Sequence, residues 1–108
     1  MTRPTPPALS HDAALMAELR TDPAFAAEYL RAALEESLDE PSVLLTALRR
    51  VAEAHGMQRV AERAGVNRES LYRSLSPRGN PTVKTLAAVL KAVGLRLTTE
   101  PDPTRPSV

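Results

Sequence analysis

Helix starts and stops alternate along this chain from Ser10 to Gly94, and the apolar residues between them recur at intervals of three and four. That pattern leaves little room for any architecture except packed helices. Ser10 reads as the N-cap of a short helix over residues 10–20. Asp22 caps a second helix with Pro23 at its first position. Its stripe is Ala26, Tyr29, Leu30, Ala33 and Leu34, with Glu28, Arg31 and Glu35 on the other side. The segment Asp39-Glu40-Pro41-Ser42 starts a third, in which Leu44, Ala47, Leu48 and Val51 mark the buried face up to His55 and Gly56. Two short helices follow over residues 58–64 and 68–75, separated by Gly65 and the capping Asn67. After a loop at Ser76-Pro77-Arg78-Gly79-Asn80-Pro81, Thr82 caps a last helix with the stripe Val83, Leu86, Val89, Leu90 and Val93. Residues 95–99 begin by alternating apolar and polar, which predicts a short strand that could pair across a dimer.

Composition agrees with helices. Only Phe25, Tyr29 and Tyr72 are aromatic, so burial falls to Leu, Val and Ala. Those residues suit closely packed helices better than a sheet. The absence of cysteine excludes disulfides, thiolate zinc sites and a cysteine nucleophile. A chain of 108 residues, 43% hydrophobic and 25% charged, fits one globular domain. No apolar run approaches the roughly 20 residues of a bilayer span, and no charged-then-apolar leader opens the sequence. A soluble, cytoplasmic protein is expected. Six of the ten prolines lie in residues 1–7 or 101–108, where they block regular pairing. The expected organisation is a flexible 1–9, a helical extension over 10–38, a helix-turn-helix domain over 39–100 and a flexible 101–108.

A formal net charge of +1 conceals a segregation. Residues 18–40 hold seven acids against two bases, and residues 49–84 hold eight bases against three acids. The basic part is a candidate surface for an anionic partner. Within it, residues 58–73 have the layout of a helix-turn-helix. Ala61 is small where two helices cross, Gly65 supplies a tight turn, and Val60, Ala64, Val66 and Leu71 fall inward. Arg68, Glu69, Tyr72 and Arg73 are left outside as candidates to touch base edges. Arginine can donate two hydrogen bonds to guanine, glutamate can accept from cytosine, and tyrosine can touch a thymine methyl group. Gln58 and Asn67 open helices and are candidate phosphate contacts, and Arg59, Arg78 and Asn80 could add backbone contacts from the flanks. Specificity would need a dimer placing two recognition helices about 34 Å apart on an inverted repeat in double-stranded DNA.

Over residues 27–100 the chain resembles the addiction-module antidote family, the HigA-like antitoxins of the Xre, or lambda repressor-like, helix-turn-helix class. The matching stretches are Tyr29-Leu30, Ala33-Leu34-Glu35-Glu36, Ala47-Leu48-Arg49, Ala54-His55-Gly56-Met57, Val60-Ala61 and Gly65. They continue with Arg68-Glu69-Ser70-Leu71-Tyr72, Gly79-Asn80-Pro81, Thr85-Leu86 and Ala92-Val93-Gly94-Leu95. The Arg-Glu-Ser-Leu-Tyr run and the Gly-Asn-Pro are the most specific. The resemblance implies an all-α, five-helix lambda repressor-like domain with an N-terminal helical extension. It also implies a homodimeric repressor of its own operon that neutralises a co-encoded RelE-like or HigB-like toxin, with Arg68, Glu69, Tyr72 and Arg73 on the recognition helix. One departure stands out: the class places an apolar residue where Ser74 stands, and here Leu75 follows it. The helix end is therefore expected to be turned or shortened, and Arg73 is the residue this affects.

Catalysis is not expected, and neither a cofactor nor a metal site is implied. There is no phosphate-cradling glycine motif, and His11 and His55 lie far apart in the chain. Ser70 and Ser74 have no nearby histidine to activate them. His55 reads as a helix-end residue beside the negative pole of the dipole. Glu35 and Glu36, being adjacent, point to different parts of one helix surface. That acidic helix could face a basic toxin, or it could merely cover the core. Two other readings stay open: a stand-alone Xre-type transcriptional regulator, and a helical protein-interaction module without DNA binding.

Overall fold

Capping side chains and prolines set most of the helix starts. The computed structural model describes residues 7–37 and 39–104 and contains six helices: α1 (Pro7–Thr21), α2 (Pro23–Glu36), α3 (Pro41–His55), α4 (Met57–Ala64), α5 (Arg68–Ser74) and α6 (Val83–Ala92). Asp22 Oδ1 accepts from the Phe25 amide at 3.1 Å, Asn67 Oδ1 from Ser70 at 2.7 Å and Thr82 Oγ1 from Thr85 at 3.0 Å. Each of these bonds satisfies an amide that has no partner within its helix. Pro23 and Pro41 occupy first-turn positions, where a missing N–H costs nothing. Of the flexible ends expected over 1–9 and 101–108, residues 1–6 and 105–108 lie outside the described residues, and residues 7–9 belong to α1. Ser10 falls inside α1 and does not cap it, because that helix begins at Pro7.

One apolar cluster joins all six helices. It includes Leu19 of α1, Ala26, Leu30 and Ala33 of α2, and Leu45, Leu48 and Val51 of α3. Val60 and Ala61 of α4, Leu71 of α5, and Val89 and Leu90 of α6 complete it. Helix α3 lies at the centre, against α1 and α2 on one side and α4 on another. Facing several neighbours gives it a wide buried surface, so Leu45 is fully packed and the expected Leu44 only half-buried. Residues 39–100 hold α3 to α6, and a fifth helix is reached only by counting α2 with them. Arg50 of α3 bonds Asp12 of α1, with Tyr29 of α2 beside it, and this contact raises the Arg50 pKa further.

Two residues assigned to buried stripes are exposed: Leu34 at 52% and Val83 at 70%. Helix α2 meets the core through Ala26, Leu30 and Ala33, and Leu34 lies too far round that face. Helix α6 enters the core with its C-terminal half, through Val89, Leu90, Ala92 and Val93. Its first residue, Val83, therefore stays outside. Residues 95–99 have no regular structure, and no strand occurs among the described residues. A strand needs a neighbouring extended backbone to bond, and among the described residues of the single chain the regular elements are helices.

Candidate nucleic-acid interface

The turn between α4 and α5 is set by backbone bonding. Gly65 has φ +73°, in the left-handed region. The Val66 amide donates to the Ala61 carbonyl at 3.0 Å and the Gly65 amide to that of Glu62 at 3.3 Å. This is the paired closure of a Schellman turn, and it places half-buried Val66 over fully buried Ala61. Asn67 then caps α5 at once, so only Gly65, Val66 and Asn67 separate the two helices. Helix α5 packs chiefly on α4, held by Leu71 and by Leu75 just past its end, both fully buried. The departure at Ser74 thus has a simple outcome: α5 stops at Ser74, and the apolar anchor comes from the next residue.

The expected base-contacting residues occupy the outer side of α5. Arg68, Glu69 and Arg73 are exposed and Tyr72 is half-buried. Gln58, Val66, Asn67, Arg68, Glu69 and Tyr72 line one open groove. Gln58 donates to Glu62 Oε2 at 3.1 Å, and the Asn67 side-chain oxygen is engaged in its cap, while its amide nitrogen has no hydrogen-bond partner among the described residues. Arg73 does not line that groove; its carbonyl accepts the Ser76 hydroxyl at 2.8 Å. Arg59, Arg78 and Asn80 are exposed on the flanks.

The loop carrying Arg78 and Asn80 is folded tightly against the end of α5. The Gly79 amide donates to the Ser76 carbonyl at 2.8 Å. A Cβ at Gly79 would stand 2.0 Å from the Ser74 carbonyl oxygen, so no larger residue fits without moving the backbone. Glycine here follows from close approach, and the loop's two candidate contacts are positioned by it.

The basic run divides into two groups. Arg50 pairs with Asp12, Arg49 reaches Glu53 at 3.4 Å, and Arg63 donates to the Ala92 carbonyl at 3.3 Å, tying α4 to the end of α6. Among the described residues, Arg59, Arg68, Arg73, Arg78 and Lys84 form no ion pair. Sequence reasoning did not single out Arg49. Its guanidinium lies 5.4 Å from the centroid of the Tyr72 ring, and that of Arg68 lies 5.7 Å from the same ring. Arg49 and Tyr72 come together only through the tertiary fold, so spacing in the chain carries no signal for the pair.

His55 ends α3 as expected, but its charge preference is the reverse of what a helix dipole favours. Burial pushes its pKa below the usual histidine value; a backbone contact with Leu19 opposes this, and Arg63, Arg20 and Arg59 lower it further. Its Nε2 is buried without a hydrogen-bond partner. No group of three or more metal-ligating side chains occurs among the described residues, and no helix there is long and apolar enough to cross a membrane.

No solved structure matches the chain significantly. A Haemophilus influenzae protein described only as uncharacterized is 43% identical over 68 residues, covering 63% of this chain and 68% of its own length. Residues 12–101, from the middle of α1 through the end of α6 and beyond, match the family described as "Probable addiction module antidote protein", and the chain belongs to that family.

Proposed function

We propose that this protein is the antitoxin of a toxin-antitoxin module and represses its own operon by binding double-stranded DNA as a homodimer. The observation that carries the DNA part is the outer side of α5. Arg68, Glu69 and Tyr72 share one open groove with Gln58 and Asn67, and among the described residues no acid pairs with Arg68. Arginine and glutamate there can read opposite members of a G·C pair, while Gln58, Asn67, Arg59, Arg78 and Asn80 bind phosphates and set the register. Arg73, which does not line that groove, would reach a base edge from beside it. One such helix reads only a few base pairs, which is the reason for two protomers on an inverted repeat.

The toxin part is supported by the family and by charge. A RelE-like or HigB-like ribonuclease would meet α2, whose exposed residues include Glu28, Glu35, Glu36 and Leu34. The protein acts without catalysis and works in the cytoplasm. The deciding experiment is a footprint on the DNA upstream of its own reading frame, with and without the neighbouring gene product. Protection of two half-sites one helical turn apart is expected; uniform, salt-sensitive coating without protected sites would overturn the repressor reading.

A further inference from the structure

Two guanidinium groups share one aromatic ring beside the groove. Arg49 of α3 and Arg68 of α5 both lie within cation–π range of Tyr72, at 5.4 and 5.7 Å from its centroid. The ring itself is half-buried and packs on the core, so its position is set by the fold. Arg49 makes one long bond, from Nε to Glu53 at 3.4 Å, and among the described residues its two terminal nitrogens donate to nothing. Two like charges drawn to one ring repel each other, and an anionic oxygen placed between or beside them relieves that repulsion. The DNA backbone supplies such oxygens at regular intervals along the edge of the groove that a recognition helix enters.

We infer that Arg49, outside the helix-turn-helix, is a DNA-backbone contact that also positions Arg68 through the shared Tyr72 ring. This rests on the DNA-binding reading above. With its terminal nitrogens on a phosphate, Arg49 keeps its guanidinium against the Tyr72 ring and holds that ring in place under Arg68, whose guanidinium is then confined to the arc over Tyr72 that faces the base edges. Arg49 is thus both a third-helix clamp and a positioning residue. The stacking geometry depends on a planar guanidinium, which lysine does not provide.

The test uses the full chain, a duplex spanning the region upstream of its own reading frame, and a scrambled duplex of the same length and composition. Arg49→Ala is expected to weaken both and to lower the slope of log affinity against log salt by about 0.9 per protomer, one phosphate contact. It should also reduce the preference for the upstream duplex. Arg49→Lys should restore the salt slope but not that preference. The effects of Arg49→Ala and Arg68→Ala on preference should be non-additive, and become additive in a Tyr72→Leu background. Circular dichroism should show all variants folded: among the described residues the ion pair of Arg49 is with a partly exposed Glu53, Arg68 forms none, and leucine keeps an apolar side chain at the half-buried Tyr72. An unchanged salt slope in Arg49→Ala, or additivity with Tyr72 intact, overturns the inference while leaving DNA binding in place. Failure of the unmodified chain to prefer the upstream duplex overturns both.

Discussion

Arg68 occupies the first turn of α5, exposed, with its guanidinium over the Tyr72 ring. Replacing it with alanine should cost about 1 to 3 kcal/mol at the base pair it reads, and the loss should appear as reduced discrimination between sites. Equal losses on cognate and scrambled DNA, measured by titration at fixed salt, would refute a base-reading role. Gly79 works by what it lacks. The 2.0 Å separation between a would-be Cβ and the Ser74 carbonyl oxygen forces the loop outward in Gly79→Ala. We expect a destabilisation of about 1 to 3 kcal/mol, the usual cost of overpacking, seen as a lower urea midpoint. An unaltered midpoint would mean the loop accommodates the methyl group freely.

At the level of the element, α5 is seven residues long and far below the length at which a helix persists alone in water. It depends on its cap, on Leu71 and on Leu75. Asn67→Ala removes the bond to the Ser70 amide and should cost about 1 kcal/mol of stability. Asn67→Ser keeps a capping oxygen but loses the amide nitrogen. If that nitrogen binds phosphate, the serine variant will unfold like the parent protein yet hold DNA more weakly; parent-like DNA affinity would assign Asn67 to capping alone. The caps at Asp22, Asn67 and Thr82 were legible because short polar side chains before a run of helix formers have few other uses. Ser10 misled for the same reason, since the signal says nothing about a helix that has already started.

For the whole molecule, His55 links fold and pH. It is packed where α1, α3 and α4 meet, with Arg20, Arg59 and Arg63 around it, and its folded pKa lies below the ordinary value. The unfolded chain therefore takes up a proton more readily than the folded one. Stability is then full above about pH 6.5, the unfolded value, and declines as pH falls through that value toward the folded pKa. Urea unfolding at pH 7.5 and 5.5 should show a loss on acidification that is smaller in His55→Asn. Equal slopes for the two proteins would show that other groups govern the range. The same packing makes α1 and α2 part of the core, because Leu19, Ala26, Leu30 and Ala33 join the cluster built on α3.

Local chemistry in the chain was enough to establish the six helices, the glycine turn, the cap of α5 and the outward placement of Arg68, Glu69 and Arg73. Each depends on residues a few positions apart, and helix periodicity converts those intervals directly into faces. Tertiary packing alone decided that Leu34 and Val83 stay in solvent, that Leu45 is more deeply buried than Leu44, and that Arg49 meets Tyr72. It also decided that Gly79 abuts Ser74 and that His55 is held by burial against the pull of its helix. Those outcomes depend on which helices become neighbours, and a face predicted to be apolar is buried only as far as another element reaches across it.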